Sequence, residues 1–268
     1  MLLPENIGNP QLCLTLPGCG PFAENGARVG LGPDYGSMTA QKTIGNSNFN
    51  ALEATLRIGT ASFAYTYSKS IDDASNLGEQ INPLNERATR VISAFDLRQN
   101  FVATYYYNFK KGFTISGTTR FSSGFPITLF DDSDRSLLGT LGNGVNNELL
   151  DTPQISPGPL KINTNPRNSR PAFNTSLFAP ETLGQLGNSA RRFFYGPGIE
   201  NFDVQVAKTV HLTESKSFDI RIEAFNAFNH AQFYGPSSVD GEINDSNFGT
   251  VVSAAPPRLI QLALKFKF

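Results

Sequence analysis

A two-residue period constrains this chain more than any other feature. Residues 259–268 read LIQLALKFKF, with Ile260, Leu262, Leu264, Phe266 and Phe268 on one side of an extended backbone. The other side carries Gln261, Ala263, Lys265 and Lys267, and Leu259 is its only large apolar member. Successive side chains of a strand point to opposite faces, so this stretch specifies a strand between an apolar and a polar environment.

The same signature recurs upstream. ALEATLRI sets Leu52, Ala54, Leu56 and Ile58 against Glu53, Thr55 and Arg57, and ASFAYTYSK sets Phe63, Tyr65 and Tyr67 against Ala64, Thr66 and Ser68. FTISGTTRFSS, FDVQVAKT and FDIRIEAF alternate in the same way, while NFVATYYYN (residues 100–108) has strand propensity but ambiguous faces. These are seven strands, and GSMTAQKT (residues 36–43) is a weaker eighth. With 22 Phe, 24 Gly, 17 Pro and no Trp, the composition suits strands joined by loops.

The connections alternate as strictly as the side chains. Gly59-Thr60, residues 109–112 and residues 210–215 make short turns, whereas residues 70–99, 123–201 and 226–258 are long polar segments. Loops longer than ~15 residues are uncommon in compact soluble domains, but short turns at one end and long loops at the other define an outer-membrane barrel. A soluble β-sandwich would share the alternation but not this arrangement of loops. In a membrane barrel the apolar face must be the outer one, because lipid cannot hydrate charge. Asp203, Asp219, Arg221, Glu223, Lys265 and Lys267 then share a wet, lumen-facing wall. The long segments are read as outer loops, and residues 123–201, with their many Pro, Asn, Ser and Gly, are expected to be exposed and mobile.

Little else carries chemistry. Net charge is −1 and charged residues are 17%, so no nucleic-acid partner is expected. No run approaches the ~18 apolar residues of a membrane helix, and MLLPENIGNP lacks the basic start of a signal peptide. His211 and His230 have no ligand partners at metal-binding spacing. DDSDRS (residues 131–136) has a calcium-like run of acids without the glycine and closing Glu of an EF-hand; it reads as a solvated loop, with an ion site as the alternative. SIDDAS (residues 70–75) pairs two carboxylates with no base or nucleophile beside them. Neither catalytic residues, a metal site nor a cofactor is expected, and the chain does not read as an enzyme. Cys13 and Cys19, in CLTLPGC, are either a local disulfide or two loop thiols.

Several stretches in series carry a family resemblance: NFNALEATLRI, YTYSKSIDDAS, TTRFSSGFPITL, FNTSLFA, RRFFYGPGIENFDVQVAKT, RIEAFNAFNHAQFYGP and NFGTVVSAAPPRLIQLALKFKF. Over residues 36–268 the chain resembles the C-terminal barrel of Oar-like TonB-dependent outer-membrane receptors, a group abundant in Acidobacteria. The resemblance implies an all-β fold: a transmembrane antiparallel β-barrel segment of seven or eight strands, forming the C-terminal part of a barrel of about 22 strands that encloses a plug. Residues 1–35 are then a loop region bearing the cysteine pair. The implied location is the cell outer membrane, and the implied function is energised uptake of an unidentified ligand. Implied partners are outer-membrane lipid, the barrel-assembly machinery, the plug and N-terminal strands of the receptor, and TonB through them. Neither a plug nor a TonB box is found in these residues, so the chain reads as the tail of a receptor. Ile260, Leu262, Leu264, Phe266 and Phe268 resemble the β-signal that the assembly machinery reads and the strand that closes a barrel. A small self-closing passive barrel, using residues 36–43 against 259–268, and a secreted β-sandwich binding module are the alternatives.

Overall fold

The structure, a computed structural model, describes residues 2–5, 10–21, 38–76, 79, 82, 85–138, 151–162 and 165–268. Of the expected loop region 1–35, residues 1, 6–9 and 22–35 lie outside the described residues, as do residues 36 and 37 of the expected eighth strand.

The main body is one antiparallel sheet. In chain order the strands are β1 (Leu2–Glu5), β2 (Met38–Gln41), β3 (Ser47–Ile58), β4 (Ala61–Asp72), β5 (Val91–Ile92), β6 (Gln99–Asn108), β7 (Phe113–Ser122), β8 (Gln154–Ile155), β9 (Phe178–Ala179), β10 (Ile199–His211), β11 (Ser217–Phe225) and β12 (Leu259–Lys267). The large sheet runs β12-β11-β10-β7-β6-β4-β3, with β5 appended to β4. All seven expected strands are its long strands. Several extend beyond the alternating residues, β3 back to Ser47 and β10 from Ile199 to His211, because backbone pairing continues where the side-chain pattern has stopped.

Every short turn lies at one end of the sheet and every long connection at the other. At the first turn Ile58 pairs with Ala61 across Gly59 and Thr60, and Gly59 has a φ of +56°, the left-handed region where glycine carries no steric penalty. Each hairpin is also displaced along its neighbour. Ala61 at the first turn is level with Tyr105, yet β6 continues three residues to Asn108; Phe113 is level with Lys208, and β10 continues three residues to His211. Three residues rise ~10 Å while two strand spacings cover about 9.6 Å, which corresponds to a tilt of roughly 45°, at the upper end of the barrel range.

The weak eighth strand is corrected by the pairing. Its described part, β2, pairs with β1 (Leu2↔Gln41 to Glu5↔Met38) and not with β12. Among the described residues β3 and β12 are therefore both open edges, and the small self-closing barrel is not formed. The region 1–35 also holds β1 and one helical turn, α1 (Pro10–Cys13), as well as loop.

The described residues of 123–201, expected to form an exposed, mobile loop, are packed. Ile127, Leu129, Phe173 and Val239 form a buried cluster, flanked by Phe178, Phe193, Phe194, Phe248 and Val251. This core joins the 123–198 and 226–258 segments into a cap at the loop end. Short bridges knit it, Pro126 to Tyr195, Phe130 to Glu242 and Val239 to Val251. Gly241 has to be glycine for this packing, since a Cβ there would lie 1.6 Å from the Thr128 carbonyl oxygen.

Candidate functional site

The sheet register sorts side chains into two faces. Leu56, Phe63, Ala103, Thr119 and Phe202 are cross-strand neighbours in sequence across β3, β4, β6, β7 and β10; Val206, Ile222 and Leu262 follow the same side across β10, β11 and β12. The register also settles the faces of β6, because Phe101 pairs with Tyr65 and Phe121, both on the apolar side. This face is bare: Leu262 is 74% exposed and Leu264 68%. Water would make such a surface an aggregation site, whereas hydrocarbon is the solvent that it suits.

Aromatic rings mark both margins of the apolar face. Towards the loops Phe101, Phe121, Phe202 and Phe228 follow one another at centroid separations of 6.3, 5.4 and 4.9 Å. Towards the turns Tyr107 meets Phe109 at 4.6 Å, Phe218 meets Phe266 at 4.9 Å, and Lys208 places its ammonium 3.7 Å above the Phe113 ring. From Phe113 to Phe121 along β7 the chain rises ~26 Å, or about 19 Å in depth at the tilt above; ring reach on both sides fills out the ~25 Å band of an outer-membrane barrel. Between the margins Gly117 lies opposite Tyr105, whose hydroxyl would be 2.6 Å from a Cβ at 117, so the ring covers the gap that the glycine leaves.

The opposite face gathers the expected lumen residues. Asp219 lies directly across from Lys265, accepts a hydrogen bond from Thr209 Oγ1 at 2.8 Å, and pairs with Lys267 Nζ at 2.5 Å. Arg221 and Glu223 pair at 3.5 Å. Asp203 lies nearer the loops and accepts from the Asn226 backbone N–H at 2.8 Å. These charges remain half-exposed to exposed where the structure gives their pairing, and opposite signs face each other across strands, a pattern suited to a wet wall. Ile260, Leu262, Leu264 and Phe266 lie on the apolar side of the β12 edge, and the Phe268 ring, just beyond the strand, lies 6.0 Å from that of Phe266.

The loop cap holds two charged centres. In the first, Arg192 donates to Glu79 through Nη1 at 2.6 Å and Nη2 at 3.0 Å, and through Nε to the Ile92 carbonyl at 2.7 Å. Arg191 lies 3.5 Å from Glu79, and Asp72 lies 3.6 Å from Arg192. Both guanidiniums and Glu79 are buried. The carboxylates of SIDDAS, without a base or nucleophile beside them in sequence, find arginines in space: Asp72 meets Arg192, 120 residues away, and the Asp73 side chain meets Arg90 at 3.1 Å, while the Asp73 carbonyl accepts from Arg191 at 3.0 Å. Burial pushes Glu79 up, but the Arg192 hydrogen bond and the two positive charges outweigh it and hold the carboxyl below its ordinary range. Burial brings Arg191 down to about 10.

The second centre is acidic. Asp131, Asp132 and Glu242 bring carboxylate oxygens within 4.8 Å of one another. Asp131 uses Oδ1 to accept from the Ser133 N–H (2.8 Å), the Ser133 hydroxyl and Asn244 Nδ2 (2.7 Å), and Glu242 uses Oε1 to accept from the Asn244 N–H at 3.1 Å. Their other oxygens, and both oxygens of Glu181, are buried without a hydrogen-bond partner among the described residues. Burial first, then the charges of Asp131 and Asp151, push Glu181 up to about 8; burial with Asp132 and Asp131 pushes Glu242 up to about 7. Asp151 rises to about 7 by burial and the charges of Asp134 and Asp131, although both its oxygens accept from Ser136.

Cys13 and Cys19 form a disulfide with Cα atoms 5.2 Å apart, and Leu137 of the cap packs against them. His211 is exposed, and half-exposed His230 lies 3.6 Å from Glu200 at the rim of a ~500 Å³ cavity that Arg167 and Gln232 also line.

No curated protein matches the chain in sequence. Among solved structures it is similar to the outer membrane transporter YddB from Escherichia coli, at 12% identity and a TM-score of 0.45 over 87% of this chain. The match spans 27% of that transporter's chain. The family model for an outer membrane beta barrel domain matches residues 5–261, nearly the whole sequence. The tilted antiparallel sheet, its bare apolar face between aromatic margins and this match give one conclusion: the chain belongs to the outer-membrane β-barrel domain family and resides in the outer membrane.

Proposed function

We propose that this sheet is the C-terminal arc of an Oar-like TonB-dependent receptor, one that takes up a scarce, bulky ligand across the outer membrane with energy delivered through TonB. The observation that carries the reading is the pair of open edges. Among the described residues β3 and β12 both present unpaired backbone groups, and in hydrocarbon each such group costs several kcal/mol. Further strands therefore complete the wall. A charged, solvated inner face suits a wide lumen with room for a plug better than a narrow barrel filled by its own side chains. The motifs EAFNAFNH and PRLIQLALKFKF point to the Oar-like type. In this reading the chain supplies wall and outer-loop surface, the plug and TonB supply coupling, and β12 is read by the assembly machinery before it closes the barrel. It carries no catalytic role.

The test is refolding of the chain alone into detergent micelles, followed by the heat-dependent gel shift of closed barrels and by conductance in planar bilayers. Aggregation through the open edges without a gel shift is the expected result. A clean shift with steady conductance would replace this reading with a small passive pore.

A further inference from the structure

We propose that Asp131, Asp132, Glu181 and Glu242 form a calcium site in the loop cap. The proposal starts from what holds these groups together. The Phe130 N–H donates to the Gly241 carbonyl at 3.1 Å, and the Ile243 N–H donates back to the Phe130 carbonyl at 3.0 Å, so residues 130–131 and 241–243 are fixed side by side. Arg135 Nε donates to the Glu181 carbonyl at 2.8 Å, and the Gly184 N–H to the Arg135 carbonyl at 2.6 Å, tying the third segment to the first. Three stretches far apart in sequence thus deliver carboxylates to one place through backbone bonds that do not depend on the carboxylates themselves.

What remains unsatisfied is the second observation. Among the described residues, Asp131 is 1% exposed yet its Oδ2 accepts no hydrogen bond; Glu181, also 1% exposed, accepts none on either oxygen, and Glu242 Oε2 is likewise buried and unpartnered. Asp131 and Glu242 each use one oxygen to order the loop and leave the other for a ligand. Burying several carboxylate oxygens together without a counter-charge is costly; a proton shared between Glu181 and Asp131 would satisfy one contact, whereas a cation would satisfy them all. The donor set consists only of oxygen, with neither His nor Cys, which selects a hard cation over a transition metal. Carboxylates supplied by irregular loops suit calcium, which tolerates six to eight ligands in flexible geometry, better than magnesium, which demands a strict octahedron. Asp132 is the exposed member of the group and gives the ion access from outside. DDSDRS then supplies ligands as a loop closed by Glu181 and Glu242 from distant segments, in place of an EF-hand's own closing Glu.

The test uses the complete barrel that contains this chain, folded in detergent and stripped with EGTA, with equilibrium dialysis against about 2 mM calcium, above the ~10⁻⁴–10⁻³ M range of extracellular sites. The expected result is one ion per chain and a calcium-dependent rise in melting temperature that about 2 mM magnesium does not reproduce. Glu181→Gln and the surface variant Asp132→Asn should each weaken binding at least about tenfold, as loss of a charged ligand does. Without calcium, Glu181→Gln should melt no lower than the parent, because a role in repulsion alone differs in this way from a role in packing. Glu223→Gln, on the sheet's polar face, should leave binding unchanged. A folded complete barrel that binds no calcium, equal response to magnesium, or unchanged affinity in both cap variants would overturn the site.

Discussion

Val206 offers the sharpest test of the orientation of the wall. It pairs with Ile115 on one side and Ile222 on the other, on the apolar face. Along β10 it lies four residues from Phe202 of the loop-side aromatic margin and four from Val210 near the turn. Four residues are ~13 Å of strand, or about 9 Å in depth at the tilt read from the register, so Val206 is close to mid-bilayer. Val206→Arg there should cost about 2–4 kcal/mol, roughly a 30- to 700-fold change in the folding equilibrium. Its chain neighbour Gln205 points to the opposite, wet face, and Gln205→Arg should stay within about 0.5 kcal/mol. Both variants would be placed in the complete barrel and compared by urea titration in liposomes. Equal costs, or a greater cost at Gln205, would refute the assignment of faces and the tilt together.

Three further outcomes follow from the cap. Arg192→Ala leaves Glu79 buried without its bidentate partner and should destabilise the cap by about 3–5 kcal/mol, read as faster amide exchange at residues 125–129. The folded-state pKa of Glu79 lies below its ordinary 4.5, so the lock contributes fully above that value and is lost as pH falls through the folded one. The protection factors of the cap amides, corrected for the intrinsic exchange rate, should therefore fall as pH drops below 4.5, and less so in Glu79→Gln, whose side chain does not titrate. Trypsin added to intact cells should cut at exposed Lys161 and spare Arg191 and Arg192, which are 3% and 1% exposed; early cleavage after Arg192 would contradict the packed cap.

The sequence by itself determined the sheet. Alternation identified six of the seven long strands and β propensity the seventh, residues 100–108, and the alternation of short and long connections set their up-and-down order, because these signals are local properties of an extended chain. It could not assign the faces of residues 100–108, where Tyr105, Tyr106 and Tyr107 run together; only pairing with β4 and β7 decides which rings face outward. It left the partner of residues 36–43 open, since a short strand carries no information about its neighbour, and pairing with β1 excludes the alternative that needed β12. Tertiary structure alone turned the long polar segments into a cap. The rings of Phe173 and Phe194, 4.9 Å apart, and Arg192 with Glu79 follow no period, and they meet only because the sheet brings the loop ends together. The same folding gathers Asp131, Glu181 and Glu242 into one buried acidic centre, where separation along the chain hides a proximity that burial makes energetically decisive.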